Sequence, residues 1–190
     1  MKTRAMKTTF LAVAILPALV LAADTPLAPA RDDGQPSAQD IETLAKLHHD
    51  NEMEVQMGKT AMQNGGAKQV KAFGSLLVKD HTLADKQLKS YAKRKGVDLT
   101  LPAPKDQVEA AELQAAMEGM KRLETLKGED YDREFSKLMV EDHQKAVTMV
   151  ETTLRDTQNA KVQSLLNKLL PVLKEHLKLA EQLNAQFNDT

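Results

Sequence analysis

Apolar residues recur at helical spacing along most of the chain, with charged and amide residues between them. Ser37 is placed to cap the first helix, Gly65 and Gly96 to end the first two, and Asp130 to cap the fourth. No stretch alternates with the period of a strand, so the predicted fold is all-α. Four long helices and one shorter helix favour a helical bundle. The spacing places these helices over residues 38–64, 67–95, 105–126, 130–158 and 160–187.

Histidines interrupt the apolar stripes of the long helices. Three of them directly follow an acid, in Asp80-His81, Asp142-His143 and Glu175-His176. Charged and imidazole groups rarely lie among leucines without polar partners. The three pairs therefore predict a common polar centre inside the bundle.

An internal repeat supports such a centre. Residues 73–81 match residues 135–143 at five of nine positions, and the two copies are 62 residues apart. We interpret the repeat as two helical hairpins related by a pseudo-twofold axis. The midpoints of the four long predicted helices fall near residues 51, 81, 144 and 173. Packed side by side, these helices would bring the histidines and the Glu52/Glu54 region into one layer.

Imidazole and carboxylate groups in one layer are typical of a metal site. The predicted ligands are His81, His143 and His176, with Glu54 as an oxygen ligand. Neighbouring residues on a helix point about 100° apart, so each acid should reach an adjacent helix and orient a histidine there. Zinc, iron and copper all suit these ligands, and the choice stays open. The predicted supporting residues are Asp80, Asp142, Glu175, Glu52 and His48, the last because it shares an inner stripe with Glu52.

The spacing argues against a di-iron oxidase. Such bundles use Glu-x-x-His, whereas Val78, Val140 and Leu173 stand three positions before the histidines. The chain also has no cysteine, no G-x-S-x-G, no phosphate loop and no His-Glu-x-x-His. No catalytic residue and no organic cofactor site is predicted, which favours a non-enzymatic protein.

The first 22 residues have the layout of a secretory signal. Lys2, Arg4 and Lys7 precede an uncharged apolar run, which leads to a cleavage position after Ala22. The run is too short for a membrane span, so we expect a periplasmic protein with no transmembrane segment after cleavage. Residues 23–37, rich in Pro, Ala, Asp and Gly, are predicted to form a flexible tether, and residues 38–187 to form the bundle domain.

Charge and cysteine content narrow the class of protein further. The net charge is −1, and loss of the three basic residues of the signal leaves 23 basic against 27 acidic residues. This balance argues against a nucleic-acid partner, which would require a basic face. Without cysteine no disulfide can hold the domain together, so its stability must come from burial.

Three segments carry a resemblance to a known family: NEMEVQMGKTAMQNGGAKQVKAFGSLLVKDHTLADKQLKSYAKRKG, YDREFSKLMVEDHQKAVTMVE and LLPVLKEHLKLAEQL. They resemble bacterial exported proteins grouped as a domain of unknown function, some of which are labelled predicted outer-membrane proteins. The resemblance covers residues 41–183 and implies a ferritin-like antiparallel four-helix bundle with one additional shorter helix. It also implies a peripheral association with the outer membrane. Family hallmarks fall on Glu54, Asp80-His81, Asp142-His143 and His176.

Two functional hypotheses follow. The first is a periplasmic metal-binding bundle with a role in metal handling or envelope stress. The second is a non-enzymatic envelope interaction protein whose buried acid–histidine pairs only hold the helices in register. The identity of a protein or envelope partner and the assembly of a homo-oligomer stay open.

Overall fold

The computed structural model describes residues 34–188, which form five helices and no strand. The helices are α1 (Ala38–Asn64), α2 (Lys68–Lys95), α3 (Gln107–Thr125), α4 (Gly128–Asp156) and α5 (Ala160–Asn188). The prediction of an all-α, ferritin-like antiparallel four-helix bundle with one shorter helix is confirmed. None of the described helices combines the length and apolar character of a membrane span. The predicted signal over residues 1–22 and most of the predicted tether lie outside the described residues.

The four long helices form two hairpins that pack side by side. α1 packs mainly on α2, and α4 mainly on α5, while α1 also borders α4 and α2 borders α5. Gly65, after the end of α1, bridges to Gly128 at the start of α4, so these two helices are antiparallel. Both α2 and α4 are antiparallel to α1. They therefore run in the same direction and lie diagonally across the bundle from each other. The shorter α3 packs across α1 and α4.

Two glycines let α1 and α2 approach closely. A Cβ atom built on Gly58 would lie 2.6 Å from the carbonyl oxygen of Gly74, and one built on Gly74 would lie 2.6 Å from that of Gly58. Real Cβ atoms do not come so close, so a side chain at either position would force the helix backbones apart. The close approach brings Asn51 on α1 within hydrogen-bond distance of His81 on α2.

The apolar core consists of two clusters on either side of the buried histidines. One contains Phe73, Leu77, Tyr131, Phe135 and Met139, and the other contains Leu44, Leu47, Leu88, Val150 and Leu166. On α2 and α4 the histidines stand between members of the two clusters along the helix. The histidine layer is therefore enclosed by apolar packing above and below.

The internal repeat occupies two helices that run in the same direction. Its copies lie on α2 and α4, the second helix of one hairpin and the first helix of the other. These helices face each other across the bundle, and equivalent side chains meet. The rings of Phe73 and Phe135 pack edge to face at 6.0 Å, and those of His81 and His143 at 5.8 Å.

The buried face of α1 is in part different from the one predicted. The predicted stripe contains His48 and Glu52, but Glu52 is exposed and His48 is only half-buried. The face that enters the bundle carries Leu47, Asn51 and Glu54. Apolar spacing correctly predicts that Leu44 and Ala45 are buried, but it misplaces the buried face in the second half of the helix, where that face carries polar side chains.

The N-terminus of α2 is capped by a residue from another helix. Ala67, at the N-cap, has no side-chain acceptor. Asp132 on α4 supplies one, because its carboxylate accepts hydrogen bonds from the backbone amides of Gly66 at 2.9 Å and Ala67 at 2.8 Å. The predicted cap of α4 is wrong, since that helix already begins at Gly128 and Asp130 is an exposed residue of its first turn.

Replacing Asp132 by alanine should destabilise the bundle. The side chain is buried, and its loss leaves two backbone donors without their charged acceptor, at a cost of about 1–3 kcal/mol in the free energy of unfolding. Asp130→Ala is the matched control and should cost less than about 1 kcal/mol. Denaturant unfolding measures both, and equal losses in the two variants would contradict the cross-helix cap.

Candidate metal centre

Three helices bring His81, His143 and His176 into contact at the middle of the bundle. The ring centroids lie 5.8 Å apart for His81 and His143, 5.2 Å for His81 and His176, and 5.3 Å for His143 and His176. All three side chains are buried, with relative exposures of 4 % or less. The prediction that these residues meet in one layer is confirmed.

Each of these rings donates one N–H to a nearby oxygen. Because the acceptors are carbonyl or carboxylate oxygens, the ring nitrogens that face them carry the protons. The bonds are His81 Nδ1 to Asn51 Oδ1 at 2.8 Å, His143 Nδ1 to Met139 O at 2.9 Å and His176 Nε2 to Asp80 Oδ2 at 3.2 Å.

The second nitrogen of each ring has no partner. His81 Nε2, His143 Nε2 and His176 Nδ1 are buried without a hydrogen bond. In a neutral imidazole whose other nitrogen is protonated, this atom carries a lone pair. One nitrogen of each ring lies within 4.8 Å of a nitrogen of both others. The centre therefore offers three buried lone pairs that accept no hydrogen bond, an arrangement that a cation would stabilise.

Burial keeps the imidazoles neutral. It lowers the pKa of His81 to about 2, with a smaller contribution from the charge that protonated His143 and His176 would carry. Burial likewise lowers the pKa of His143 to about 4, with a further contribution from His176. The pKa of His176 is also lowered by burial, against an opposing effect of its hydrogen bond to Asp80. Neutral imidazole is the form that binds metals, so the centre is in its ligand form near neutral pH.

Aromatic packing closes one side of the centre. The ring of Phe73 lies 5.9 Å from that of His176 and 6.4 Å from that of His143. This side offers no polar group to the free nitrogens. The apolar surround strengthens electrostatic attraction for a bound ion and holds the rings in fixed orientations.

The spacing of the nitrogens fits a first-row metal after a small movement. Three nitrogens bound at 2.0–2.1 Å to one ion are about 3.3–3.6 Å apart. One nitrogen of each ring already lies within 4.8 Å of the others, so side-chain shifts of about 1 Å would bring these three to this spacing. A set of three imidazole ligands, with one coordination position of the metal left open, is also known from zinc and copper proteins.

Glu54 lies beside the three histidines. Its Oε1 is 3.5 Å from Nδ1 of His143, the nitrogen that donates to Met139, and its Oε2 is buried without a partner. Burial, aided by the negative charges of Asp142 and Asp50, raises the pKa of Glu54 well above its usual range. Burial therefore favours the protonated form of Glu54, which lies on the protonated side of His143.

The acids of the three acid–histidine pairs have different surroundings. Asp80 on α2 accepts from His176 on α5, so this acid orients a histidine of an adjacent helix. Asp142 is half-buried next to His143, and burial raises its pKa to about 6. Glu175 has a side chain that is 58 % exposed and pairs with Lys178 at 3.8 Å, so the structure does not bring it to the centre.

His48 and Glu52 belong to a second polar cluster, on the surface between α1 and α2. His48 Nδ1 donates to Asp85 Oδ1 at 2.6 Å, and its Nε2 is 3.8 Å from Glu52 Oε1. Asp85 also binds Lys89 Nζ at 2.8 Å. In this cluster the histidine has partners on both nitrogens, whereas each central histidine has one free nitrogen.

Asn51 and Asp85 are absent from the predicted site. Asn51 fixes the tautomer of His81, and Asp85 is the partner of His48. Asn51 stands one helical turn before Glu54 and one turn after Leu47. An amide at this spacing between a leucine and an acid was a signal that α1 turns a polar face inward.

The family of the chain follows from residues 25–183, which match the profile described as domain of unknown function DUF4142. The chain belongs to this family. The family resemblance drawn from the sequence is thus confirmed. Among curated proteins no match to the chain is found.

Solved structures share the fold at low sequence identity. A DUF305 fragment from Deinococcus radiodurans superposes with a TM-score of 0.70 at 17 % identity, covering 80 % of this chain and 99 % of that one. CopM in its Cu(I)-bound form gives 0.61 at 18 % identity, covering 78 % and 97 %. A putative secreted DUF305 protein from Streptomyces coelicolor gives 0.64 at 14 % identity, covering 78 % and 93 %. CopM is also similar in its Ag-bound and Cu(II)-bound forms.

Glu54→Gln should stabilise the metal-free protein increasingly as the pH rises. Burial raises the pKa of Glu54 in the folded state, so the folded protein binds the proton more tightly than the unfolded chain does, and wild type loses this stability above the unfolded pKa of 4.5. Glutamine does not titrate. The free energy of unfolding of Glu54→Gln, relative to that of wild type, should therefore increase by about 1.4 kcal/mol per pH unit. This increase applies over the pH range in which the carboxyl is protonated in the folded state and ionised in the unfolded state.

Denaturant unfolding between about pH 5 and about pH 8, with chelator present, measures this difference. Glu181→Gln, an exposed position on α5, is the matched control and should show no such trend. A pH-independent difference for Glu54→Gln would contradict the burial of a neutral acid beside His143.

Proposed function

We propose that this chain is an exported helical-bundle protein that binds one transition-metal ion, copper in its monovalent state, through His81, His143 and His176. The observation that carries the proposal is the contact of three buried imidazole rings, each of which has one nitrogen without a hydrogen-bond partner. The ligand atoms are His81 Nε2, His143 Nε2 and His176 Nδ1. Asn51, Asp80 and the carbonyl of Met139 hold the rings in the required tautomers.

Charge favours a monovalent ion. The donors are neutral imidazoles, and burial favours the protonated form of Glu54 beside His143. Among the described residues, Asp80 is the carboxylate that accepts a hydrogen bond from this centre. The single negative charge of Asp80 compensates a monovalent ion more completely than a divalent ion. Imidazole is a ligand suited to copper as well as to zinc and iron.

The similar fold of CopM agrees with this choice. CopM is described in Cu(I)-bound, Ag-bound and Cu(II)-bound forms. At 18–21 % identity the likeness concerns the fold, so the metal is inferred for this chain from its own histidines. Together with the secretory pattern of residues 1–22, the centre supports a role in handling copper in the periplasm, including under envelope stress.

The second candidate function uses the same residues as a purely structural network. The bonds of His81 to Asn51 and of His176 to Asp80 each join two helices, which favours a role in fixing helix register. The two functions differ in one respect. A register device requires the hydrogen-bonded nitrogens, whereas a metal centre also requires the free ones.

Titration of the untagged protein with Cu(I) under anaerobic conditions separates the two functions. Competition with a chromophoric chelator should give one bound ion per chain. At a free ion concentration 100-fold above the dissociation constant, the folded state should gain about 2.7 kcal/mol. Failure of Cu(I) to bind, in a protein that remains folded, would contradict the metal centre and favour the structural role.

Single substitutions identify the ligands. His81→Gln, His143→Gln and His176→Gln should each weaken Cu(I) binding by at least about 100-fold, because each removes one of three nitrogen ligands. His48→Gln is the matched control, since it removes a half-buried histidine outside the centre. Retention of wild-type affinity by any of the three central variants would exclude that histidine as a ligand.

A further inference from the structure

A cavity connects the histidine centre with the surface. Its volume is about 330 Å³, and it lies between α1, α4 and a cover formed by the loop before α3 and the first half of α3. His81, His143 and Glu54 line its inner end. The cavity does not include His176, so an ion that enters it meets the other two histidines first.

Three thioethers line this cavity: Met53, Met57 and Met149. Met53 and Met57 are one helical turn apart on α1, on either side of Glu54, and Met149 lies on α4. Leu47, Leu101, Pro102, Leu113 and Leu173 supply apolar lining. Thioether sulfur is a soft ligand that prefers Cu(I) to zinc and to ions that bind oxygen.

Charges on the cavity wall are mostly acidic. The wall carries Asp50, Glu109, Glu112 and Asp142 beside Lys46 and Lys145. Lys46 is already paired with Glu109 at 2.9 Å and with Glu42 at 3.1 Å. The balance therefore attracts cations into the cavity.

Charged pairs help to hold the cover over this cavity. No residue in the first half of α3 is buried, and its first buried residue is Gly119. Lys105, just before α3, pairs with Glu42 on α1 at 2.7 Å. An ion can reach the cavity when such exposed pairs separate, because they contribute little to stability.

We propose that this cavity is the approach path for a soft monovalent ion, and that the thioethers of Met53, Met57 and Met149 bind the ion transiently before it reaches the histidines. The inference rests on the proposed copper centre and adds the residues that select the ion. Methionine often serves only to fill space in a protein core. The proposal therefore depends on the rate of Cu(I) uptake, which a purely space-filling role of these methionines would not affect.

The test compares two triple variants of the full chain. Met53→Leu, Met57→Leu and Met149→Leu together remove the thioethers of the path and nearly preserve side-chain volume. Met62→Leu, Met117→Leu and Met120→Leu remove the same number of thioethers outside this cavity and serve as the control. The probes are Cu(I) delivered from a bicinchoninate complex and Zn(II) delivered from a chromophoric chelator, each followed in a stopped-flow instrument.

The path variant should take up Cu(I) more slowly than wild type, on the order of ten-fold, because it lacks the soft ligands. Its equilibrium affinity for Cu(I) and its rate of Zn(II) uptake should stay within about two-fold, since the histidines are unchanged. The control variant should match wild type in all respects. Thermal unfolding verifies that both variants fold, and Met53→Leu and Met149→Leu alone give the same comparison if the triple variant does not.

Two results would overturn the path. One is an equal rate of Cu(I) uptake by the path variant and the control. The other is equal slowing of Cu(I) and Zn(II) uptake, which would mean that leucine narrows the cavity rather than removing a ligand. Failure of the proposed centre gives a different result, because wild type would then take up no Cu(I).

Discussion

The central constraint in this structure is the conflict among three imidazole rings that pack together inside an apolar bundle, each with one nitrogen that has no hydrogen-bond partner. Each ring has donated its N–H to an oxygen, so none can donate to its neighbour. Protonation of a ring would remove the conflict, but burial lowers the pKa of His81 to about 2 and that of His143 to about 4. A metal ion resolves the conflict without a proton, and the proposed copper function follows from this.

The bundle maintains this arrangement from several directions. The close contact of Gly58 and Gly74 draws α1 toward α2 and places Asn51 opposite His81. The backbone of α4 supplies the acceptor for its own His143, and α2 supplies Asp80 for His176 on α5. The apolar clusters pack against the layer of rings on both sides along the bundle. The orientation of each ring therefore depends on a second group in the bundle. A substitution that displaces this group would also disturb the ring.

Helical spacing was enough to predict the bundle, and equal helix length was enough to predict the layer of His81, His143 and His176. The polar partners were harder to predict, because they depend on which helices become neighbours. In the middle of α1 the inward face carries Asn51 and Glu54 instead of apolar residues, so apolar spacing does not identify the buried positions there. Glu175 follows the same dipeptide pattern as Asp80, yet its position on α5 directs it to solvent. Helical spacing could not predict which nitrogen of each ring lacks a partner. The tautomer of each ring depends on the group that accepts its hydrogen bond, and the sequence alone does not identify that group.

The most direct measurement of the central claim is nitrogen NMR of the protein labelled with ¹⁵N-histidine, before and after one equivalent of Ag(I), a diamagnetic substitute for Cu(I). The account predicts that the resonances of His81 Nε2, His143 Nε2 and His176 Nδ1 shift on binding. The opposite nitrogens of these rings should keep their protons, and His48 should not change. Binding through the hydrogen-bonded nitrogens, or unchanged resonances for all three rings in the presence of Ag(I), would contradict it.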